Sequence, residues 1–198
     1  MRLAVFDYGA GNMHSLAKAL VLAGADVRIE TDARRCLDAD GLVLPGVGAF
    51  TQAADRLAPS RVAVRTAIEQ GLPTLGICLG MQLLFDASDE GAGAGLGVIE
   101  GRVTRIDASR VPQIGWNTVC NAGDPLLDTT PLSYVYYANS YRAQPTDASC
   151  VTAWTEYEGD RFPAIVRYKR TTGVQFHPEK SSADGIVFLA AAVQGMAR

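Results

Sequence analysis

A cysteine flanked by glycines lies between an apolar run and a helical pattern. The run Thr74 to Ile77 leads into Cys78, and Gly76 and Gly80 stand two residues to either side of it. Glycine has no Cβ, so it permits the close backbone approach and the strain of a sharp strand-to-helix turn. At the start of the following helix, the positive end of the helix dipole favours the thiolate, which is the nucleophilic form of cysteine. Cys78 is therefore predicted to be a nucleophile.

A catalytic thiolate needs a base, and the base needs a group that orients it. The chain has two histidines, His14 and His177. His177 follows an apolar run, at a strand end where open α/β sheets place their active sites, and Glu179 is close enough to accept its ring N–H. His14 lies in a helical first turn without an adjacent carboxylate. We predict a triad of Cys78, His177 and Glu179, with the backbone N–H of Leu79 as an oxyanion donor.

The other three cysteines are Cys36, Cys120 and Cys150, and they lie far apart in the chain. Their spacing matches neither a metal knuckle nor a redox dithiol. They are interpreted as packing residues with free thiols, as expected in a reducing cytoplasm. The predicted chemistry requires no metal and no organic cofactor.

Composition narrows the class of protein further. The 198 residues include 18 Lys and Arg against 21 Asp and Glu, a net charge of −3, which argues against nonspecific binding to nucleic acid or to an anionic membrane. With 48% hydrophobic and 20% charged residues, the chain is expected to form a single domain over residues 1–198. The sequence shows neither a long apolar stretch nor a signal-peptide pattern, so we expect a soluble cytoplasmic protein.

The two halves of the chain show different patterns. In the first half, apolar runs alternate with helical patterns, which predicts a doubly wound α/β fold with a mostly parallel sheet and helices on both faces. The predicted strands there cover 3–6, 27–29, 42–44 and 74–77, and the predicted helices cover 13–23, 49–70 and 80–85. The second half predicts an antiparallel section with strands at 98–106, 114–119, 134–141, 150–156 and 164–168. A final strand at 172–176 precedes a last helix through Ala197, capped by Ser181 and Ser182.

The cysteine turn at 76–82, together with the distant His177-Pro178-Glu179, resembles the class I (triad) glutamine amidotransferase family. The resemblance spans nearly the whole chain and implies a flavodoxin-like amidotransferase fold. The segment Pro-Gly-Val-Gly-Ala-Phe at 45–50 resembles the family's oxyanion segment. This implies that backbone N–H groups of Gly46, Val47 and Gly48 help to hold the tetrahedral oxygen.

Further motifs narrow the resemblance to the glutaminase subunits of imidazole glycerol phosphate synthase. These motifs are Asp-Tyr-Gly-Ala-Gly-Asn at 7–12, Gly-Trp-Asn at 115–117 and a lysine after Glu179. The substrate implied is L-glutamine, and the implied partner is a (β/α)₈ cyclase subunit that receives ammonia. The implied glutamine-binding residues are Gln82, Ser140 and Tyr141. The implied partner-facing residues are Gly9, Gly11, Asn12 and Lys180. The chain departs from the subfamily pattern at Gln113, Ile114 and Asn139.

Three alternatives remain open from the residues. A Rossmann-type nucleotide-binding module is suggested by Gly9-x-Gly11 after the first strand, but His14 replaces the third glycine and Asp7 would oppose a pyrophosphate. The second alternative is the glutaminase subunit of another amidotransferase, such as those for anthranilate, carbamoyl phosphate or guanylate. A non-catalytic relative is the third. Trp116 and the tyrosines at 134–137 lack interleaved basic residues, which favours packing or partner contact over base stacking.

Overall fold

The first half of the chain folds as alternating strands and helices. The computed structural model describes residues 1–9 and 13–197. The elements of this half are β1 (Arg2–Phe6), α1 (His14–Leu22), β2 (Asp26–Glu30), α2 (Ala33–Cys36), β3 (Gly41–Leu44), α3 (Phe50–Leu57), α4 (Arg61–Glu69), β4 (Thr74–Ile77) and α5 (Leu79–Gln82). A 3₁₀ turn at Ala58–Ser60 separates α3 from α4, because Pro59 lacks the N–H that a continuous helix needs.

The second half consists mainly of strands. Its elements are β5 (Ala87–Ser88), β6 (Gly101–Arg105), β7 (Gln113–Thr118), β8 (Cys120–Asn121), α6 (Pro125–Thr129), β9 (Tyr134–Asn139), β10 (Tyr141–Pro145), β11 (Val151–Tyr157), β12 (Asp160–Tyr168), β13 (Thr171–Val174) and α7 (Ser182–Met196). Short 3₁₀ turns cover Ala148–Cys150 and Pro178–Lys180. No helix within residues 1–9 and 13–197 is long and apolar enough to cross a membrane.

An eight-stranded sheet in the order β2-β1-β3-β4-β13-β12-β11-β8 forms the centre of the molecule. The strands from β2 to β13 are parallel, and β12, β11 and β8 continue the sheet antiparallel. The late strand β13 pairs with β4, and Val174 lies opposite Ile77. This register brings the residues after both strands to one edge. Separate sheets contain β10-β6-β5 and β7-β9.

Alternate residues of β1 pack on opposite faces of the sheet. Leu3 and Val5 join a core cluster that includes residues of α1 and α7, whereas Ala4 and Phe6 join a second cluster with α3 and α4. Burying each such large side chain contributes about 1.5–3 kcal/mol, so both faces need a helical cover. The predicted doubly wound α/β architecture, with an added antiparallel section, is confirmed.

Several predicted boundaries differ from the structure. The helix expected over 80–85 is the four-residue α5, since Leu84 N–H bonds to Met81 O and Phe85 N–H to Gln82 O in tightening turns. The strand expected over 134–141 breaks at Ser140 into β9 and β10, which belong to different sheets. The last strand ends at Val174, two residues earlier than expected.

Two expectations about side chains are wrong. The Ser181 hydroxyl does not cap α7. It donates to His177 O at 2.7 Å and accepts from Tyr136 N at 3.0 Å, so it links residues 177–181, the histidine segment, to β9. Cys120 is exposed and not packed in the core, because β8 is a two-residue edge strand. Cys36 is buried and Cys150 is half-buried, and all four thiols are free as expected.

Candidate active site

Cys78 occupies a strained turn between β4 and α5. Its φ is 48° and its ψ is −105°, a conformation that costs a residue with a side chain about 1–3 kcal/mol. The backbone N–H of Cys78 donates to Val174 O at 2.7 Å, so the adjacent strand β13 holds the turn in place. The side chain is buried, with 6% of its surface exposed. The predicted strand-to-helix turn and its backbone strain are both present.

The two flanking glycines are required by close contact. A Cβ on Gly80 would overlap the carbonyl oxygen of Leu44, and one on Gly76 would lie 2.7 Å from Gly80 O. Gly46, in the loop after β3, is equally confined, because its Cβ would lie 2.9 Å from both Cys78 Cβ and His177 Cε1. The backbone at Gly46 therefore passes directly beside the thiol and the imidazole.

His177 lies past the end of β13 and is 2% exposed. Its backbone N–H donates to Tyr136 O at 2.8 Å, and its Nδ1 is 2.8 Å from Glu179 Oε1. A carboxylate at Nδ1 fixes the ring with that nitrogen protonated and leaves Nε2 to face Cys78. The structure thus brings together the three residues of the predicted triad.

The charge state of His177 follows from these neighbours. Burial is the largest single effect and lowers the pKa of the imidazole, whereas the negative charge of Cys78 and a hydrogen bond to its sulfur raise it. The hydrogen bond to Glu179 and its charge raise the pKa further, to about 10. Near neutral pH the His177 ring is therefore protonated, with the Cys78 sulfur on one side and the Glu179 carboxyl group on the other.

A cavity of about 190 Å³ opens over Cys78. The implied oxyanion and glutamine-binding residues that line it are Gly46, Gly48, Leu79, Gln82, Ser140 and Tyr141. Val47 is half-buried beside it and is not part of the lining. The break between β9 and β10 explains why Ser140 and Tyr141 face the cavity, since the chain changes sheets there.

Glu90 also lines the cavity and was missed from the sequence. Burial raises the pKa of its carboxyl, and a hydrogen bond from the Phe50 N–H partly offsets the rise. Glu90 follows the two-residue strand β5 in a polar stretch, so no periodic pattern indicated its position. A carboxylate here suits a ligand that carries an ammonium group.

Gln175 is a second missed residue. It is fully buried, and its Nε2 donates to Cys78 Sγ at 3.5 Å while its Oε1 accepts from Gln82 Nε2 at 3.3 Å. In the sequence, its position between the last strand and His177 was the feature that could have indicated a place in the site. Gln82 Nε2 also donates to Tyr141 O at 3.0 Å.

Two of the three departures from the subfamily pattern are cross-strand partners. Gln113 on β7 lies opposite Asn139 on β9, and both are buried. Asn139 Nδ2 donates to Tyr141 O at 3.1 Å, at the wall of the cavity. The Gln113 amide has no hydrogen-bond partner among residues 1–9 and 13–197. The third departure, Ile114, is 67% exposed on the opposite face of β7.

The implied partner-facing residues are only partly described. Gly9 has a φ of 77°, and its N–H donates to Asp7 Oδ1 at 2.6 Å. The Asp7 carboxylate thus already accepts the Gly9 N–H hydrogen bond that a bound pyrophosphate would need, which counts against the Rossmann-type alternative. Gly11 and Asn12 lie outside the described residues. Lys180 Nζ lies 5.9 Å from the centre of the Tyr136 ring.

Comparison with known proteins agrees with this geometry. Residues 4–190 match the family model described as glutamine amidotransferase class-I, and the chain belongs to that family. Solved structures agree in fold: a crystal structure of a glutamine amidotransferase covers 99% of both chains with a TM-score of 0.78 at 17% identity. The glutaminase domain of Trypanosoma brucei CTPS, solved with bound acivicin, covers 100% of this chain and 94% of that one with a TM-score of 0.71 at 18% identity.

Curated relatives of known name place the chain more closely within the class I glutamine amidotransferases. The imidazole glycerol phosphate synthase subunit HisH of Halobacterium salinarum is 43% identical over 94% of this chain and 90% of its own length. The Pyrococcus furiosus protein of the same name is 41% identical over 95% of this chain and 96% of its own length. The resemblance to the glutaminase subunits of this synthase is therefore confirmed, in preference to glutaminases of other amidotransferases.

Proposed function

We propose that this chain is the glutaminase subunit of an imidazole glycerol phosphate synthase, a single cytoplasmic amidotransferase domain that hydrolyses L-glutamine to glutamate and ammonia. Its ammonia passes to a (β/α)₈ cyclase subunit that makes imidazole glycerol phosphate and an aminoimidazole carboxamide ribotide. The observation that carries the proposal is the thiol of Cys78 beside His177, itself hydrogen-bonded to Glu179, at the floor of a small cavity.

Acylation begins when the Cys78 thiolate attacks the side-chain amide carbon of glutamine. Negative charge develops on the amide oxygen, which backbone N–H groups of Leu79 and of the Gly46 to Gly48 segment stabilise. His177, protonated and held by Glu179, donates its proton to the departing nitrogen. The C–N bond breaks, ammonia leaves, and a γ-glutamyl thioester remains on Cys78.

Deacylation uses the same groups in the opposite sense. His177, now neutral, takes a proton from water, whose oxygen attacks the thioester carbon. The C–S bond then breaks, glutamate leaves, and the sulfur regains its negative charge opposite a protonated imidazole. Glu90 supports binding, because its carboxylate in the cavity wall suits the α-ammonium group of glutamine.

The surface around Lys180 suits a protein partner. On the β7-β9 sheet, Ile114 is 67% exposed, Trp116 is 42% exposed and Tyr134 is 54% exposed. Trp116 and Tyr134 stack with ring centres 5.7 Å apart, and Lys180 lies beside Tyr136 on the same sheet. An aromatic patch with a cation at its edge is typical of a protein interface.

Co-expression with a (β/α)₈ cyclase tests the proposal. We expect the two chains to co-purify, and we expect glutamine hydrolysis to rise when the cyclase's own ligand is added. The control is the same complex with Cys78→Ala, which should bind the cyclase but release no glutamate. The assignment to this synthase would be overturned if the two chains did not co-purify and the rate of glutamine hydrolysis did not change when the cyclase ligand was added.

A further inference from the structure

We propose that Gln175 is a catalytic residue that donates a hydrogen bond to the Cys78 thiolate, and that Gln82 positions its amide. The inference deepens the proposed function and depends on it for the reaction concerned. The sulfur then has two donors: the His177 imidazolium, which carries a proton to give away, and the Gln175 amide, which does not.

A backbone carbonyl sets the orientation of both glutamine amides. Tyr141 O can only accept, so the Gln82 group 3.0 Å away must be its NH₂. The same NH₂ lies 3.3 Å from the Gln175 side chain, which must therefore present its oxygen there. The Gln175 NH₂ is left to face Cys78 Sγ at 3.5 Å. The Gln82 amide is thus fixed by an acceptor that cannot reverse its role, and the Gln175 amide is fixed by the donor that Gln82 must present.

Burial increases the effect of this arrangement. Gln175 is fully buried and Gln82 is 4% exposed, so water does not compete for these hydrogen bonds. The backbone of Gln175 is anchored as well, because its N–H donates to Ala164 O on β12 at 2.9 Å. An N–H donor held in a dry site stabilises an anionic sulfur more than a neutral thiol.

The neutral donor adds a second hydrogen bond, beside that of His177, at the step where the thiolate leaves. When the tetrahedral intermediate of deacylation collapses, the C–S bond breaks and its electron pair returns to the sulfur. The proton taken from water is on His177 at that moment. The Gln175 N–H needs no proton transfer and is in place both for attack and for departure of the thiolate.

Thiol alkylation in the full-length chain measures this hydrogen bond without glutamine or cyclase. We would follow iodoacetamide labelling of Cys78 from pH 5 to 10 by mass spectrometry of the tryptic peptide covering residues 66–102. Gln175→Met keeps the length of the side chain and removes the donor. We expect labelling at pH 7 to be about tenfold slower than in the wild type, and the two rates to converge at high pH.

Matched variants separate this effect from a general disturbance. Thr171→Val removes a buried hydroxyl at the start of β13, the strand that precedes Gln175, and it should leave the Cys78 profile unchanged. Gln82→Met should shift the profile in the same direction by about threefold, and the double variant should be no slower than Gln175→Met alone. The other titratable groups facing the site are the same in every variant; they are His177 with Glu179 behind it, Glu90 and Tyr141. Exposed Cys120 reports reagent activity in each sample.

An unchanged profile in Gln175→Met would overturn the proposal. Labelling that is slower by the same factor at every pH would also overturn it, because that result indicates restricted access of the reagent and not a smaller thiolate fraction. If Gln175→Met does not fold, Gln82→Met decides by itself, since an unchanged profile there contradicts the positioning role. Because the assay needs no partner, failure of the synthase assignment would leave its result intact.

Discussion

At the scale of single residues, the thiolate depends on His177 more than on a helix dipole. The helix after Cys78 contains four residues, and the dipole of so short a helix is small. The imidazolium beside the sulfur supplies the compensating positive charge, and the hydrogen bond to Glu179 keeps the imidazole protonated. The role predicted for the helix dipole at Cys78 therefore belongs mainly to the ion pair.

Titration of the His177 ring tests this ion pair. Its pKa is raised to about 10, so the ring should remain protonated through pH 8 and lose its proton only as the pH rises toward 10. Cys78→Ser removes the negative charge that contributes the largest upward effect, so the pKa should fall. NMR of the ring nitrogens resolves this, because the chain has only two histidines. Cys36→Ser, a change at a buried thiol in the other core cluster, should not move the titration; equal midpoints in wild type and Cys78→Ser would refute the pairing.

The triad could be predicted from sequence because its motifs are local. Cys78 lies between glycines that a sharp turn requires, and Glu179 is two residues from His177. Gln175 and Glu90 were not found, because their importance depends on contacts between distant segments. Neither the Gln175 contact with Cys78 nor the position of Glu90 at the cavity leaves a periodic pattern in the chain.

At the scale of elements, the site depends on how closely β3, β4 and β13 approach one another. These strands are neighbours in the sheet, and the residues after each of them meet at one edge. Their buried runs made β3 and β4 predictable from sequence within one residue. The break at Ser140 was not predictable, because residues 134–141 are continuously strand-like and only the packing of β9 and β10 in separate sheets divides them.

Gly46→Ala tests the closeness of this approach. The added Cβ would lie 2.9 Å from Cys78 Cβ and His177 Cε1, so the thiol and the imidazole must separate. We expect kcat/KM for glutamine hydrolysis in the cyclase complex to fall about 100-fold, the loss typical of a displacement near 1 Å at a reacting centre. Thermal unfolding would verify that the variant folds.

The matched control is Gly195→Ala in α7, where an added Cβ meets no atom of residues 1–9 and 13–197 within 4 Å. It should retain full activity and unfold at the same or a slightly higher temperature, because alanine favours the helix by about 0.5–1 kcal/mol. Wild-type kcat/KM in Gly46→Ala would show that the loop after β3 does not confine the catalytic pair.

At the scale of the whole molecule, the exposed aromatic sheet and the catalytic cavity share one strand. The face of β9 that carries exposed Tyr134 belongs to the patch beside Lys180, whereas Asn139 at the end of the same strand lines the cavity. His177 N–H and the Ser181 hydroxyl both bond to the backbone of Tyr136 on this strand. A partner bound to the β7-β9 sheet therefore contacts the strand that holds the histidine segment.

Lys180→Ala tests this link to the partner. Loss of the cation should reduce stimulation of glutamine hydrolysis by the cyclase about tenfold, while the alkylation rate of Cys78 in the isolated chain stays the same. Lys18→Ala, a change at an exposed lysine in α1, is the control and should preserve stimulation. Unchanged complex formation and full stimulation in Lys180→Ala would exclude an interface role for this residue.

We propose that Cys78 generates ammonia for a reaction completed by another chain. The most direct test compares the wild-type complex with the Cys78→Ala complex, supplied with either glutamine or ammonium salt at pH 8.5. We predict that Cys78→Ala abolishes synthesis of imidazole glycerol phosphate from glutamine and leaves synthesis from ammonia at the wild-type rate. Synthesis from glutamine at the wild-type rate in Cys78→Ala would show that Cys78 is not the source of the ammonia.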